Sequence, residues 1–388
     1  MASPVHADET TDDEIGNQMR APGRGVYAYV RSLLLCAAGA TILTYLSAPA
    51  GAQVVLSNED VSFKFGVQGQ LWGDWTQDSS GSQGYQQNYY LRRARLIMGG
   101  DLGKEISFFF ETDDPKLGLT PKNLASGFII QDALMEWRPT KVFQLVGGLM
   151  IVPFTRHGLQ STVSYMTLDI SPIATVTNTV TQSSALRDVG FEAKGFFFDD
   201  HLLYRVGEFS GERDTNGHDS PRTTGYLQYD FFNREKGYLF SGTSLGKQKI
   251  LAVDAGVDAQ GSYHGFSANT AAAIPVHQGD EASAQFQYIY YDGGIKFPTI
   301  AMQNDYLLEG AYYSHRAKVQ PFVKYDEQDF VHSVDATKSI HRAGFGANYY
   351  IRGQNLKWTL QYLRAMPQNG SPLKATNELT MQLQLYYY

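Results

Sequence analysis

Two arginines at alternate positions, Arg93 and Arg95, could attract an anion together. A guanidinium group carries a permanent positive charge and several hydrogen-bond donors. On an extended strand, residues two positions apart point to the same face, so these two side chains share one face and Arg92 takes the other. Two interpretations stay open: the arginines form an electrostatic ladder for anions, or they pair with acidic neighbours and stiffen the structure.

Motifs of catalytic sites are incomplete in this sequence. Gly103-Lys104 has the end of a phosphate-binding loop, yet Met98 stands where its first glycine belongs and Glu105 replaces the Ser or Thr. Neither H-E-x-x-H nor G-x-S-x-G occurs, and the nine histidines lack the spacing of metal ligands. We therefore predict a protein without catalytic residues, metal or cofactor. A hydrolase whose Ser/His site is assembled by the fold is the alternative left open.

In the segments that must position these side chains, apolar and polar residues alternate with a period of two. From Val61 to Trp75 the odd positions are mainly apolar and the even positions mostly polar, which predicts a strand with one apolar face. A strand of a soluble sandwich has about 5–6 residues, whereas a tilted strand that crosses a bilayer is longer. For the ninth and tenth strands an alternative stays open, because residues 237–245 could form a strand of their own. The pattern predicts about sixteen strands: 61–75, 88–101, 104–114, 127–138, 142–151, 187–198, 202–211, 222–232, 248–260, 262–274, 281–293, 303–314, 317–330, 339–352, 355–366 and 376–387.

The predicted connections are sorted by length. Most even-numbered strands are followed by tight turns: Leu102-Gly103, Pro139-Thr140-Lys141, Asp199-Asp200-His201, Arg316 and Gly353-Gln354. Most odd-numbered strands are followed by longer connections: 76–87, 115–126, 152–186, 212–221, 294–302, 331–338 and 367–375. Short periplasmic turns and long outer loops are typical of outer-membrane barrels. The predicted fold is therefore all-β, a transmembrane antiparallel up-and-down barrel of about sixteen strands.

The first 52 residues are typical of a leader rather than of a folded domain. Arg20, Arg24 and Arg31 precede an apolar run that begins at Leu33, and the segment ends in Ala50-Gly51-Ala52. A basic region, a short apolar region and an A-x-A site indicate a secretory signal peptide. We expect cleavage after Ala52, which leaves residues 53–388 as a single barrel.

Composition agrees with an exported barrel. The chain has 25 Tyr, 22 Phe and 38 Gly, and no segment after residue 52 is apolar enough for a membrane helix. The formal charge of −7 becomes −5 without the leader, which disfavours a nucleic-acid-binding protein. The only cysteine, Cys36, lies in the leader, so the mature chain contains no disulfide or thiol site.

Several motifs resemble those of the phosphate-selective porins O and P. They are Tyr90-Leu91-Arg92-Arg93-Ala94-Arg95-Leu96 with Gly99-Gly100-Asp101-Leu102, Gly147-Gly148 with Pro153-Phe154-Thr155-Arg156, Arg187-Asp188-Val189-Gly190-Phe191 with Gly195-Phe196-Phe197, and Leu203 to Gly211. The resemblance is close over about residues 60–230. It implies a sixteen-stranded homotrimeric channel of the bacterial outer membrane that passes small anions such as phosphate. It also implies that basic residues of the lumen bind the anion.

Strand parity and the cost of a lipid-facing arginine, about 2–4 kcal/mol, place Arg93 and Arg95 in the lumen. The long loop 152–186 is a candidate constriction loop by analogy with other porins; Arg156 begins it, and Asp169 would oppose anions there. The candidate pore-lining, anion-binding residues are Arg93, Arg95, Arg156, Lys64, Lys324 and Arg342. Parity also predicts a mixed lumen, with eight basic residues (Lys64, Arg93, Arg95, Lys318, Lys324, Arg342, Arg352, Lys357) against eleven acidic ones (Asp74, Glu105, Glu111, Asp113, Asp132, Glu136, Asp230, Asp305, Glu309, Asp326, Glu378).

Three alternatives to an anion-selective porin remain open. The first is a general porin without anion selectivity. The second is a structural or adhesive barrel whose pore is occluded and whose long loops form the working surface. The third is a secreted soluble β-protein.

Overall fold

The computed structural model describes residues 54–57, 60–78, 84–119, 121–122, 124–125, 127–181, 183, 185–214, 216–331 and 338–388. The leader and its cleavage after Ala52 lie outside these residues, so the signal peptide stays a prediction. No helix in the described part of the chain is long and apolar enough to span a membrane.

Antiparallel strands make up most of the described chain. They are β1 (Val54–Ser57), β2 (Val61–Gln77), β3 (Tyr85–Leu102), β4 (Ile106–Asp113), β5 (Ile129–Trp137), β6 (Gln144–Ile151), β7 (Arg187–Phe197), β8 (Leu202–Phe209), β9 (Arg222–Asp230), β10 (Ile250–Gln260), β11 (Tyr263–Pro275), β12 (Glu281–Asp292), β13 (Gln303–Tyr313), β14 (Val319–Phe330), β15 (Ile340–Tyr350), β16 (Leu356–Pro367) and β17 (Thr376–Tyr387). A 3-10 turn spans Pro172–Thr175.

The sheet closes because its last strand pairs with β2. Leu383 lies opposite Leu71 and Tyr387 opposite Val67, so β2 to β17 form a closed barrel of sixteen strands. The short β1 also pairs with β2, and Val54 lies opposite Phe65, just beyond the end of β17. The predicted barrel and all sixteen predicted strand segments are confirmed. Residues 237–245 form no strand.

The period of two separates the two faces of the barrel. Outward side chains are apolar and exposed, as at Leu308 (53 % exposed) and Phe345 (61 % exposed). Many inward side chains of the same strands are polar and buried, as at Glu309 and Asn348. Because lipid cannot hydrogen-bond to polar groups, an apolar outer face and a polar inner face are what a membrane barrel requires.

Two connections break the predicted sorting of loop lengths. The links 103–105, 138–143, 198–201, 276–280, 314–318 and 351–355 lie at one end of the barrel, which we term the tight-turn end. Residues 231–249 belong to the same end but form a long connection, and the link 261–262 at the opposite, long-loop end has only two residues. The barrel is therefore entered by long segments from both ends.

Candidate functional site

The long-loop segment 152–186, termed the inserted loop, lies inside the barrel. Its polar groups bond to inward side chains of distant strands: Gln68 donates to Thr162 (2.9 Å), Thr167 donates to Glu309 (2.7 Å), and the Leu168 amide donates to Gln361 (3.2 Å). Its apolar side chains pack against wall aromatics. Ile173 and Phe154, for example, are buried with Tyr291. The inserted loop is rich in Ser and Thr and also contains Gln. It fits here because the inner wall presents side-chain amides and carboxylates to which such residues can hydrogen-bond.

Residues 231–249, termed the inserted turn, enter from the tight-turn end and meet the inserted loop. The amide of Phe240 donates to the Leu159 carbonyl (2.9 Å), and the Ser161 amide donates to the Phe240 carbonyl (2.9 Å). Arg156 donates to Glu235 at 2.6 Å and lies over the ring of Phe240. Burial alone would lower the pKa of Arg156, but the Glu235 carboxylate raises it above its usual range. The two segments are thus joined by backbone bonds and by one buried ion pair.

A β-bulge places three arginines, rather than two, toward the lumen. The register of β2 against β3 shifts so that Arg93 lies opposite Gln70 and Leu91 opposite Leu71, which leaves Arg92 as the extra residue. The prediction that Arg92 faces away from Arg93 is wrong, because an extra residue interrupts the alternation of side chains. The same shift moves Leu91 off the face that carries Arg93.

Asp169 of the inserted loop accepts hydrogen bonds from both adjacent arginines. Its Oδ2 lies 2.7 Å from Arg92 Nη2, and its Oδ1 lies 2.6 Å from Arg93 Nη2. Burial would raise the pKa of Asp169, but the charges of Arg92 and Arg93 outweigh burial and hold it far below its usual range. Lys324 also approaches, with its ammonium 3.2 Å from the Asp169 carbonyl oxygen. Asp169 is therefore an anion held by a cationic cluster that consists of Arg92, Arg93 and Lys324.

An outer cavity of 380 Å³ opens beside this cluster at the long-loop side. Five basic and two acidic side chains line it, namely Arg92, Arg93, Arg95, Lys116, Arg187, Asp113 and Asp169. An inner cavity of 370 Å³ lies toward the tight-turn end, and its charged lining consists of Arg95, Lys194, Glu111 and Glu136. Both cavities are lined by Arg95, Thr162 and Leu239, which come from β3, the inserted loop and the inserted turn.

Residues 65–227, which contribute side chains to both cavities, match the family model "Phosphate-selective porin O and P". This part of the chain is similar to that porin family. The match covers the cationic strand β3, the inserted loop and the wall as far as β9. Among curated proteins, no sequence matches the chain significantly.

Solved outer-membrane proteins share the fold of this porin at low identity. Pseudomonas putida OprB at high pH has a TM-score of 0.61 and 8 % identity over 85 % of this chain and 94 % of its own. Salmonella typhi OmpF in complex with daunomycin gives 0.57 and 10 %, over 86 % of this chain and all of its own. The outer-membrane channel DcaP of Acinetobacter baumannii gives 0.55 and 12 %, over 85 % and 99 %. The porin is a closed barrel of the bacterial outer membrane.

The structure brings together only some of the candidate residues of the porin. Arg93 and Arg95 line the outer cavity, and Lys324 reaches the same cluster through Asp169. The other three lie elsewhere: Arg156 is enclosed between the two inserted segments, Lys64 is exposed near the tight-turn end, and Arg342 pairs with Asp326 on β14.

Most lumen charges of the porin are held in ion pairs. Arg95 contacts Glu111 and Asp113 at 2.8 and 2.9 Å, and Arg187 contacts Asp132 at 3.0 Å. Further pairs follow the inner wall: Lys194–Glu136, Arg205–Glu192, Arg222–Asp258 and Arg342–Asp326. Both interpretations of the arginines therefore have a structural basis, because the same side chains are paired and face a cavity.

Some lining residues were not among the sequence candidates. Arg187 and Lys194 lie on β7, whose strand and parity were available in the sequence. Tyr238 and Leu239 lie on the inserted turn, and no sequence pattern indicates that a connection at the tight-turn end folds inward. Strand parity predicted that Glu105, Lys318 and Arg352 face the lumen, but these residues lie in tight turns.

Proposed function

We propose that this porin passes small solutes by diffusion and favours anions, phosphate among them. The observation that carries the proposal is the excess of five basic over two acidic side chains around the outer cavity. Fixed positive charge in a narrow, partly dehydrated passage raises the local concentration of anions. Glu111 forms an ion pair with Arg95, and Asp132 forms one with Arg187. These two carboxylates reduce the excess of positive charge without removing it. Phosphate is included because the matching family model bears its name.

The proposed path runs between the inserted loop and the wall formed by β2 to β7. A solute enters the outer cavity beside Arg92 and Arg93, passes Arg95, Thr162 and Leu239, and leaves through the inner cavity. The inserted loop acts as the constriction, because Thr162 contacts Arg95, with 3.5 Å between Oγ1 and Nη1. A solute passes this point when the two side chains move apart. The passage involves no chemical step, so the protein acts as a channel and not as an enzyme.

The proposed assembly is a homotrimer in the outer membrane. A trimer form of Vibrio cholerae OmpT shares the fold, with a TM-score of 0.53 and 11 % identity over 84 % of this chain. Exposed outward aromatics such as Phe191 offer an apolar surface that lipid or a second copy would cover.

A second candidate function, an occluded barrel, has one observation in its favour. The inserted loop and the inserted turn enter the lumen from opposite ends and bond to each other. Planar-bilayer conductance separates the two functions, because an occluded barrel carries no current.

The reversal potential in a KCl gradient tests the anion preference. The protein is predicted to favour chloride, and Arg93→Ala and Arg95→Ala are predicted to reduce that preference. Lys64→Ala is the matched control, because Lys64 lies outside both cavities. Equal permeability to both ions, unchanged in Arg93→Ala and Arg95→Ala, would overturn the proposal and leave a general porin.

A further inference from the structure

One side of the inner cavity is aromatic and apolar. The ring of Phe109 lies 5.7 Å from that of Tyr238 and 6.0 Å from that of Tyr388, the second pair edge-to-face. Leu134 and Val146 continue this surface along β5 and β6. Water solvates such side chains poorly, so an aligned apolar surface inside a passage favours contact with an apolar part of a solute.

The position of Tyr388 depends on two glycines of the inner wall. A Cβ atom at Gly99 would lie 2.1 Å from the Tyr388 hydroxyl oxygen, and one at Gly66 would lie 2.7 Å from the Tyr388 Cβ. Any larger residue at these positions would displace the ring. The end of β17 therefore turns an aromatic side chain into the lumen, where two small residues leave space for it.

Arg95 presents a hydrogen-bond donor at the boundary between this surface and the outer cavity. Its Nε is committed to Asp113. Its Nη1 lies 2.8 Å from Glu111 Oε1, but that oxygen accepts no well-aligned hydrogen bond, and the same nitrogen is 3.5 Å from Thr162. A solute carboxylate at Nη1 would therefore share this nitrogen with Glu111 and take the place of Thr162. Lys194, the other cation of the inner cavity, pairs with Glu136 at 2.8 Å.

We propose that the inner cavity is a binding site for single-ring aromatic carboxylates on their way through the pore. The carboxylate contacts Arg95 Nη1, while the ring packs against Phe109, Tyr388 and Leu134. The volume of 370 Å³ lies within the range of small-molecule sites, about 300–1,000 Å³. The outer cavity attracts the negative end, and the aromatic surface retains the ring. This site rests on the proposed function, because it assumes that solutes pass from one cavity to the other.

Calorimetry with the purified protein in detergent tests binding without requiring conduction. Sodium benzoate is the probe, and acetate, benzylamine and inorganic phosphate are compared with it. Benzoate is expected to bind in the millimolar range and acetate at least tenfold more weakly. Phe109→Ala and Leu134→Ser are each expected to weaken benzoate binding about fivefold to tenfold, as loss of an aromatic or apolar contact does. Phe191→Ala, on the lipid face, is the matched control.

Bilayer currents are measured with and without benzoate and compared with the calorimetry. Together they distinguish failure of this site from failure of the proposed function. Chloride current without benzoate binding would overturn the aromatic site and leave the anion pore intact. Benzoate binding without any current would overturn the proposed function and retain the site as a feature of an occluded barrel. Equal binding of benzoate and acetate would exclude a role for the ring, and stronger binding of benzylamine would exclude the carboxylate assignment.

Discussion

Arg156 and Glu235 form a buried ion pair of 2.6 Å that joins the two segments inserted from opposite ends of the barrel. Their side chains are 1 % and 5 % exposed. Removing one partner of such a pair leaves an uncompensated charge and typically costs about 3–5 kcal/mol. This pair therefore fixes the position of the inserted turn, and with it Leu239 at the boundary between the two cavities.

Arg156→Met is predicted to loosen both inserted segments while the barrel strands stay paired. Glu235 then remains buried without its main partner, although Gln228 still donates to it (3.2 Å). Limited proteolysis should cut within 231–249, and single-channel current should fluctuate more than in the parent protein. The double variant Arg156→Met with Glu235→Met is the control, since it removes both charges and should recover most of the stability. Equal protease resistance of parent and Arg156→Met would show that the pair does not hold the segments.

Asp169→Asn is predicted to increase anion selectivity. The carboxylate of Asp169 neutralises Arg92 and Arg93, so its replacement by a neutral amide leaves more positive charge facing the outer cavity. The reversal potential in a KCl gradient should shift toward that of chloride, and the shift should shrink at high salt because of screening. Asp199→Asn, at the exposed tight-turn end, is the matched control. A shift toward potassium would mean that Asp169 orients the arginines instead of opposing their charge.

His157 is predicted to make the inserted loop sensitive to acid. Burial lowers the pKa of His157, and its Nε2 accepts a hydrogen bond from the Ser171 amide (2.9 Å). Above the ordinary pKa of about 6.5, neither the folded nor the unfolded state binds a proton. As the pH falls below that value, the unfolded state binds a proton before the folded state does, so stability decreases.

The temperature of the heat-induced gel shift, measured from pH 8 to pH 4, checks this prediction. His157→Gln keeps a hydrogen-bond acceptor without a titrating group and should flatten the dependence between pH 6.5 and the lower pKa of the folded state. The neighbouring charges are Glu309, 3.9 Å from His157 Nδ1, together with Lys324 and Asp169. Identical pH curves for the two proteins would assign the acid sensitivity to those other groups.

The strands of this barrel could be predicted from sequence because lipid imposes a simple rule on every outward residue. The alternation of exposed Phe286 with buried Gln285 and Gln287, like similar patterns on other strands, follows from that rule alone. The tight turns could be predicted for the same reason, since they are the short gaps between alternating segments.

The interior could be predicted only in part, because it depends on contacts between distant segments. The bulge that turns Arg92 inward is one extra residue within an unbroken strand, and no local pattern marks it. The inserted turn resembles an ordinary polar connection in sequence, yet Phe240 is buried against the inserted loop. Arg156 could be expected in the lumen, but its partner Glu235 lies 79 residues away in the chain.

A single cysteine tests whether solutes pass between the inserted loop and the β2–β7 wall. With Cys36, the only cysteine in the sequence, replaced by alanine, Thr162→Cys places a thiol where both cavities meet. A bulky thiosulfonate reagent should react with this thiol and reduce the single-channel current. Asn216→Cys, in an exposed outer loop, should react equally without reducing the current. Full labelling of Thr162→Cys, shown by mass, with unchanged conductance would contradict the proposed path.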